Sequence, residues 1–380
     1  MEIKINFSKI PTPCYILDEK LLEKNLALLD NVQKKSGAKI LLALKGFAMW
    51  NTFPTIAKVL QGIAASGLNE ARLGKEEMNK EVHTYSPAFK EEEFEEILSL
   101  SDYIIFNSFN QWKRFKKKVV SYNKKIKCGI RINPEYSEVT PLIYNPCNKF
   151  SRLGVTLDQF RDDLLEGISG LHFHTLCEQN SDALERTLEV VEERFGEYIK
   201  QMEWINFGGG HHITRQDYNI DKLSSLIIDF KKRYHIEVYL EPGEAIGWQT
   251  GVLVAKILDI IHNQIDIAIL DTSVEAHMPD CLAMPYRPDI EGAGKPNEYK
   301  YNYQLGGNTC LAGDIVGEYS FERPLQIGDR IIFKDMIHYT MVKNTTFNGI
   351  NLPSIAMWTK DQRLKIIKNF RYEDYKGRLS

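Results

Sequence analysis

The sequence lacks several features that would place it in a special class of protein. None of its apolar runs approaches the ~20 residues that a membrane-spanning helix needs. Its start, MEIKINFSKIPTPCY, has no apolar core of signal-peptide length. The net charge is only −3, which argues against a general binder of nucleic acid or of anionic membranes. We therefore expect a cytoplasmic protein with no membrane or nucleic-acid partner.

Cysteine, glycine and proline are also too few or too scattered to define the fold. The six cysteines form no CxxC pair, so we expect six free thiols in a reducing compartment. The 25 glycines and 14 prolines exclude a disordered or collagen-like chain of 380 residues. A chain of this length can bury roughly three quarters of the surface that its unfolded state exposes, so it needs no disulfides to build a core.

Eight short apolar runs alternate with helical segments between residues 20 and 245. Such runs predict buried strands, and segments 19–35 and 181–201 carry Leu, Val and Phe at helical intervals. The second helix begins with Ser181 as its predicted N-cap. Eight β/α units without an early glycine-rich dinucleotide loop favour a (β/α)8 TIM barrel over an open doubly wound sheet. The predicted strands are 39–44, 61–66, 81–86, 102–107, 126–132, 168–174, 203–207 and 236–241.

The pattern changes after Pro242, where apolar runs follow one another without long helices between them. Turn residues separate these runs, which is typical of a mainly antiparallel β domain. We predict an α/β protein with a barrel domain over 20–245 and a β domain formed by 1–19 and 246–380. An exposed loop is expected at 289–300 and a charged, peripheral segment from Thr359 onward. The predicted strands of the β domain are 251–261, 265–270, 301–307, 329–333 and HYTMV at 338–342.

Nearly every predicted barrel strand ends at or next to a polar residue or glycine. The active site of a TIM barrel lies at the C-terminal ends of its strands, so these residues predict a reactive face. They are Lys45, Ser66, Ser86, Asn107, Arg131, His174, Gly208, Gly209, Gly210 and Glu241.

Three of these positions suit chemistry on a cofactor, although each has a simpler interpretation. Lys45 could have a lowered pKa and form a Schiff base with an aldehyde, or it could be a solvated lysine at the barrel edge. The run Gly208–Gly210 could let backbone N–H groups approach a phosphate, or it could form a tight turn. Glu241 could hold a pyridinium proton, or it could be an ordinary acid at the end of a strand.

The histidines leave a metal site open as an alternative. His172 and His174 point to one face of a strand, and His211 and His212 follow the glycines. They could bind zinc in a hydrolase, although no third spaced His or Asp ends another strand. A histidine packed against an aromatic cofactor, or a plain core histidine, accounts for them equally. Cys310, in GGNTCLAGD, is either an exposed reactive thiol or an inert buried one.

Taken together, the motifs resemble the fold-type III pyridoxal-phosphate decarboxylases. This group has an alanine-racemase-like fold and includes ornithine and diaminopimelate decarboxylases. The resemblance spans nearly the whole chain, and HTLCEQN, EPGEA and TCLAGD are similar to the branch of carboxynorspermidine and carboxyspermidine decarboxylases. The seven motifs, in the order of the family, are ALKGF, GIAASGLNE, GLHFHTLCEQ, NFGGG, EPG, GNTCLAGD, and HYT with TFNG.

The resemblance implies a pyridoxal 5'-phosphate enzyme with a role for each site residue. Lys45 would carry the cofactor, Glu241 would keep its ring nitrogen protonated and His174 would stack on its ring. Cys310 of the partner subunit, in a homodimer with shared active sites, would protonate the α-carbon. The residues implied to bind the cofactor are Lys45, Arg131, His174, Gly208, Gly209, Gly210, Glu241 and Tyr339.

The implied substrate is a small polycationic amino acid, decarboxylated in the biosynthesis of spermidine or norspermidine. Ornithine and diaminopimelate decarboxylases usually have arginine where this chain has Glu244, and an acid where it has Leu311. Glu244 places an anion where a polycation could use one. Carboxylates along the substrate channel would offset the cost of desolvating the ammonium groups, unless they are merely solvated loop charges. The candidates are Glu244, Asp280, Asp314 and Glu275.

Other activities of the same fold remain as alternatives. The chain could decarboxylate diaminopimelate, ornithine or lysine instead. It could be an amino acid racemase, although racemases typically place arginine where this chain has Glu241. A non-catalytic pyridoxal-phosphate carrier would resemble the barrel alone, and residues 250–350 argue against it.

Overall fold

The computed structural model describes residue Phe7 and residues 10–380, and the chain divides into two compact units. The barrel unit is Lys24–Ile246, and the sheet unit is Met1–Glu23 with Gly247–Ser380. Apart from Phe7, the first nine residues of the predicted N-terminal segment lie outside the described residues. Within the described ranges, no helix combines the length and the apolar character needed to cross a membrane.

The strands are numbered in chain order over the described residues. They are β1 (Cys14–Asp18), β2 (Lys39–Ala43), β3 (Gly62–Ala65), β4 (Glu81–Ser86), β5 (Tyr103–Phe106), β6 (Lys127–Arg131), β7 (Ile168–His172), β8 (Trp204–Asn206), β9 (Glu237–Leu240), β10 (Gly251–Asn263), β11 (Ile265–Leu270), β12 (Ala293–Gly294), β13 (Tyr301–Gly306), β14 (Ile315–Phe321), β15 (Arg330–Lys334), β16 (Ser354–Trp358) and β17 (Leu364–Lys368).

The α-helices of the same residues are numbered in the same way. They are α1 (Glu19–Ser36), α2 (Phe53–Ile56), α3 (Leu68–Leu73), α4 (Phe94–Leu100), α5 (Phe109–Val120), α6 (Ser181–Ile199), α7 (Ile220–Tyr234), α8 (Glu244–Gly247), α9 (Val274–His277), α10 (Pro279–Ala283), α11 (Tyr339–Val342) and α12 (Tyr372–Lys376).

The barrel unit is built on a closed parallel barrel of the strands β2 to β9, in which β9 pairs with β2. This confirms the predicted TIM barrel, and all eight predicted strands are present with ends within two residues. Helix α6 begins at Ser181 as the sequence indicates. Its N-cap is Asn180 rather than Ser181, because the Asn180 side chain accepts the N–H of Ser181.

Inside the barrel, the indole of Trp204 lies where two glycines leave room for it. Gly129 on β6 and Gly170 on β7 are paired neighbours. A Cβ atom built on Gly129 would lie 2.5 Å from the indole, and one on Gly170 would lie 2.1 Å from it. Trp204 is fully buried in a cluster of barrel side chains, so these glycines are required by the packing of the barrel.

Replacing Gly170 with alanine should lower the free energy of unfolding by about 1–3 kcal/mol, because the added methyl overpacks the barrel against Trp204. Urea unfolding monitored by circular dichroism measures this loss. Gly67→Ala is the matched control, since a Cβ there would meet no atom within 4 Å. Equal unfolding midpoints for the two variants would contradict the proposed packing role.

The sheet unit contains a nine-stranded sheet in the order β12-β14-β13-β11-β10-β1-β16-β17, and β15 pairs with β10. The pairs β1·β16 and β11·β13 are parallel. The other pairs of this sheet are antiparallel, so the sheet is mixed and mainly antiparallel, as predicted. It is formed from β1 and from strands that lie beyond Pro242.

Two expectations for the sheet unit are wrong in detail. HYTMV at 338–342 contains the helix α11 rather than a strand, since a segment of five residues carries too little periodicity to separate the two. The predicted loop 289–300 contributes β12, which pairs with β14. The segment after Thr359 is peripheral as predicted, since none of its residues is buried, and its strand β17 pairs with β16 at the edge of the sheet.

Candidate active site

Lys45 lies two residues beyond β2, at the carboxyl end of the barrel. Its side chain is accessible to solvent, and yet the protein around it lowers the pKa of the amine. Desolvation of the amine by these surrounding protein atoms is the largest cause and the charge of Arg131 is the second, whereas Glu241 and Glu70 oppose the shift. A lowered pKa increases the fraction of neutral amine, which is the form that attacks an aldehyde.

Glu241 follows β9 and has a donor on each carboxylate oxygen. His172 Nε2 lies 3.2 Å from Oε2, and Asn206 Nδ2 donates to Oε1 at 2.7 Å. Burial alone would raise the pKa of Glu241, but His172, His83 and Lys45 outweigh it and lower the pKa to about 2. The carboxylate is therefore charged at neutral pH and suits a cationic N–H partner.

The run Gly208–Gly210 forms a tight loop after β8. Gly208 and Gly210 have φ values of +73° and +81°, which L side chains rarely adopt. The N–H of Gly208 donates to Asn206 Oδ1 at 2.8 Å, and the N–H of Gly209 donates to His174 Nδ1 at 2.8 Å. A Cβ on Gly209 would lie 2.5 Å from the carbonyl oxygen of Glu241, so the glycines bring backbone close to that residue.

The two predicted histidines contact the glycine loop and the Glu241 carboxylate. His174 Nδ1 accepts from Gly209, and His172 Nε2 faces Glu241, so each ring has one nitrogen engaged by the protein. Burial, with Lys45 next in size, holds the pKa of His174 well below its usual value, which keeps this ring neutral. Because one nitrogen of each ring already has a protein partner, this geometry does not favour a zinc site on His172 and His174.

A separate group of potential ligand atoms lies after strands β7, β8 and β9. One ligand atom each from Glu178, His212 and Glu244 lie within 4.8 Å of one another. A parallel bridge between Gln179 and His211 brings the first two segments together. The sequence-based metal alternative named His212 but missed both carboxylates.

Arg131 ends β6 and is buried. Its guanidinium lies 4.7 Å from the centroid of the Tyr85 ring, and its NH2 lies 3.5 Å from the carbonyl oxygen of His174. The hydroxyl of Tyr85 donates to Asn107 Oδ1 at 2.7 Å. This contact network holds the guanidinium of Arg131 in place. Its positive charge is the second cause of the lowered pKa of Lys45.

Three residues of this site were not predicted from the sequence. Asn206 precedes the glycines directly and is fully buried. Glu70, within the motif GIAASGLNE, accepts the N–H of Ser66 at 2.6 Å and opposes the lowering of the Lys45 pKa. The ring of Tyr85 lies against the guanidinium of Arg131. The sequence signal that could have identified these three residues is their position near the ends of predicted strands.

In the sheet unit, the loop that carries Cys310 is held by an internal carboxylate. Asp314 accepts from both Ser273 Oγ and Val274 N at the start of α9, and from the hydroxyl of Thr309 at 2.6 Å. Two further N–H groups lie 3.2 and 3.4 Å from its oxygens. Cys310 itself is exposed, with its N–H bonded to Asn348 Oδ1 at 2.6 Å.

The other predicted residues of the sheet unit differ in how far their side chains are engaged. Asp280 forms an ion pair with Lys343 at 2.6 Å. The ammonium of Lys343 also lies 6.0 Å from the centroid of the Tyr339 ring. Glu275 has a buried Oε2 atom without a hydrogen-bond partner in the described part of the chain. The roles predicted for these residues, and for Asp314 as a substrate ligand, stay predictions.

The residues of the barrel unit fit pyridoxal 5'-phosphate. Lys45 offers an amine of lowered pKa for the aldehyde, and Glu241 offers a charged carboxylate for the ring nitrogen. His174 presents a neutral flat ring fixed by Gly209. The glycine loop has no side chains where a phosphate would approach. These groups lie at the carboxyl ends of β2, β7, β8 and β9, where a TIM barrel binds its ligands.

Comparison with known proteins agrees with this fit. A family model described as pyridoxal-dependent decarboxylase, C-terminal sheet domain, matches residues 14–337. A carboxynorspermidine/carboxyspermidine decarboxylase from Campylobacter jejuni subsp. jejuni is 51% identical over 97% of this chain and 98% of its own length. A carboxyaminopropylagmatine decarboxylase from Synechocystis sp. is 46% identical over 98% of this chain and 96% of its own length.

Solved structures give the same assignment. The crystal structure of carboxynorspermidine decarboxylase from Campylobacter jejuni, complexed with norspermidine, matches with a TM-score of 0.91 and 50% identity, over 97% of this chain and 100% of that one. A diaminopimelate decarboxylase from Helicobacter pylori, complexed with L-lysine, shares the fold at a TM-score of 0.82 and 17% identity, over 97% of each chain. The chain therefore belongs to the pyridoxal-dependent decarboxylases and is a carboxy-lyase that uses pyridoxal 5'-phosphate.

Proposed function

We propose that this protein decarboxylates carboxynorspermidine and carboxyspermidine, giving norspermidine and spermidine in polyamine biosynthesis. The observation that carries the proposal is the 51% identity to a decarboxylase of these two substrates over nearly the full length of both chains. Glu244, which lies three residues after Glu241 in the chain, supports a cationic substrate at the same mouth of the barrel.

When bound, the cofactor supplies an aldehyde carbon for the substrate amine and a ring that takes up the electron pair left by carbon dioxide. Lys45 would hold the cofactor through its amine, and the lowered pKa increases the fraction of this amine that is neutral. Glu241 stays charged and holds a proton on the ring nitrogen, which keeps the ring a good electron acceptor. His174 packs on the ring, and Arg131 holds the pKa of Lys45 low.

The remaining predicted residues complete the proposed site. Gly208, Gly209, Gly210 and Tyr339 hold the phosphate. Cys310 of the partner subunit delivers its thiol proton to the α-carbon after carbon dioxide leaves. The exposure of Cys310 on the sheet unit supports a contact with a second chain.

For the distal ammonium groups of the substrate we propose Glu244 as the principal acid. It starts α8 at the carboxyl end of the barrel, and one of its oxygens lies within 4.8 Å of a Glu178 oxygen. Two carboxylates at this separation create a negative potential that an ammonium group would relieve. Glu275 is proposed as a second contact, because its buried Oε2 has no donor within the described residues.

Replacing Glu244 with glutamine should raise the KM for the polyamine substrate about 10- to 100-fold, the scale of a lost hydrogen bond to a charged group. The kcat should change less, because Glu244 acts far from the reacting carbon. Steady-state carbon dioxide release measures both constants. Glu185→Gln is the matched control, since Glu185 is a surface residue paired with Lys222. A KM equal to that of the control would remove Glu244 from the site.

The Synechocystis relative favours carboxyaminopropylagmatine as a second candidate substrate. Its distal end is a guanidinium rather than an ammonium group. Carbon dioxide release should be compared for carboxynorspermidine, carboxyspermidine, carboxyaminopropylagmatine, diaminopimelate, ornithine and lysine. We expect the highest kcat/KM with the first two substrates. A higher value for the guanidinium substrate would move the assignment to the second candidate, and one for ornithine, lysine or diaminopimelate would overturn both.

We further propose that the protein works in the cytoplasm as a homodimer with shared active sites. All six cysteines are free thiols, which suits a reducing compartment. The mass in solution should be twice that of the 43.8 kDa chain, and light scattering measures it. A monomeric mass in an active preparation would contradict the shared site.

A further inference from the structure

Asn206 connects the two parts of the barrel unit that are assigned to opposite ends of the cofactor. Its Nδ2 donates to Glu241 Oε1 at 2.7 Å, and its Oδ1 accepts the N–H of Gly208 at 2.8 Å. The side chain is fully buried, so both hydrogen bonds are shielded from water. The N–H of Glu241 also donates to the carbonyl oxygen of Gly208 at 2.7 Å. Glu241 is thereby tied to the glycine loop through side chain and backbone.

His172 is the other donor to Glu241, and it does not fix the plane of the carboxylate by itself. His172 Nε2 lies 3.2 Å from Oε2, which is longer than the contact made by Asn206. One donor leaves the carboxylate free to rotate about its last bond, whereas a donor on each oxygen fixes its plane. An amide is also uncharged, so Asn206 can donate to a carboxylate without neutralising it.

We propose that Asn206 is a positioning residue that fixes the plane of the Glu241 carboxylate relative to the glycine loop, and so sets the fit of the cofactor ring between its nitrogen and its phosphate. The proposal rests on the proposed roles of Glu241 and Gly208–Gly210. Asparagine is required because the position needs one donor and one acceptor together. Aspartate has the acceptor for Gly208 but lacks the donor for Glu241.

The variant Asn206→Asp separates the two hydrogen bonds with little change of shape. At low pH the introduced carboxyl shares a proton with Glu241 and still donates to it. As the pH rises this proton is lost, and two carboxylates 2.7 Å apart repel each other. The affinity of the variant for pyridoxal 5'-phosphate should therefore fall with rising pH.

The measurement is the dissociation constant of pyridoxal 5'-phosphate, from its absorption band, at pH 6 to 9 without substrate. The ratio of the variant constant to the wild-type constant should rise about 10- to 100-fold over this range. Using the ratio cancels the titration of the cofactor. It also cancels the other titratable groups that face Glu241, which are His172, His83, Lys45, Tyr85 and His211.

Three further variants keep the test decisive. Asn180→Asp is the matched control, because Asn180 also donates and accepts through its side chain, to Asp217 O and from Ser181 N. Its ratio should stay constant with pH. Asn206→Ala removes both hydrogen bonds without adding charge, so its affinity should be lower by a similar factor at every pH. In a Glu241→Gln background, Asn206→Asp should lose its pH dependence.

The outcomes separate this inference from the proposed function. A ratio for Asn206→Asp that is flat from pH 6 to 9 and equal to the control would overturn the positioning role alone. Wild-type protein that binds the cofactor but decarboxylates none of the six substrates would overturn the proposed function, and a rising ratio would still support the positioning role.

Discussion

Replacing Lys45 with alanine should lower kcat/KM for carboxynorspermidine by about 10³-fold or more, the scale expected when a covalent catalyst is removed. The barrel holds the pKa of this amine low, so the neutral form is available to bond with an aldehyde. Lys45→Arg should be equally inactive. It keeps the positive charge, but a guanidinium does not lose its proton in a protein. Carbon dioxide release at saturating cofactor measures both variants.

The matched control for Lys45 is Lys39→Ala, on the same strand. Lys39 begins β2 at the opposite end of the barrel, and its ammonium lies 3.1 Å from the carboxylate of Glu237. Surface ion pairs of this kind contribute about 0–1 kcal/mol, so the control should retain its activity. Activity of Lys45→Arg within tenfold of wild type would mean that Lys45 acts only as a charge.

Replacing Glu241 with glutamine should lower kcat about 10²- to 10³-fold, as is found when one group that stabilises developing charge is removed. A neutral amide does not hold a proton on the ring nitrogen, so the ring becomes a weaker electron acceptor. Glutamine also presents an NH2 group to one of the two existing donors, His172 or Asn206. The KM should change less than kcat, because the proposed role of Glu241 is to contact the cofactor ring and not the substrate.

The pH dependence of kcat provides a second test of the Glu241 prediction. The pKa of Glu241 is lowered to about 2, so the carboxylate is charged throughout pH 5 to 9 and only loses its charge as the pH falls toward 2. The ratio of wild-type to Glu241→Gln kcat should accordingly be constant across pH 5 to 9. Glu237→Gln, on the same strand β9, is the control. Equal kcat values for the two variants would contradict the role of Glu241.

The barrel was predictable because its local signals agree with its tertiary structure. Eight apolar runs, nearly all of which end at or next to a polar residue or glycine, become eight parallel strands whose carboxyl ends carry Lys45, Arg131, His174 and Glu241. The motif order added the chemical role of each residue. HYTMV could not be assigned correctly, since a segment of only five residues is compatible with either a strand or one turn of helix.

The hydrogen-bond partners of the site residues could not be predicted from the sequence, because they depend on contacts between distant segments of the chain. Nothing in the run NFGGG reveals that Asn206 bonds to Glu241, 35 residues later. The acidic residues illustrate the same limit. Asp314 resembles a free loop carboxylate in the sequence, but it accepts hydrogen bonds from the start of α9, 40 residues earlier, and from Thr309. Its oxygens are therefore engaged by the fold.

Covalent attachment of the cofactor to Lys45 is the central claim, and peptide mass spectrometry tests it most directly. Holoenzyme reduced with borohydride is digested with trypsin, which does not cleave after a modified lysine. The reduced pyridoxyl group should be found on the peptide 40–58, which contains Lys45 uncleaved. The group on a peptide with another lysine, or its absence from a protein that shows the cofactor absorption band, would contradict the claim.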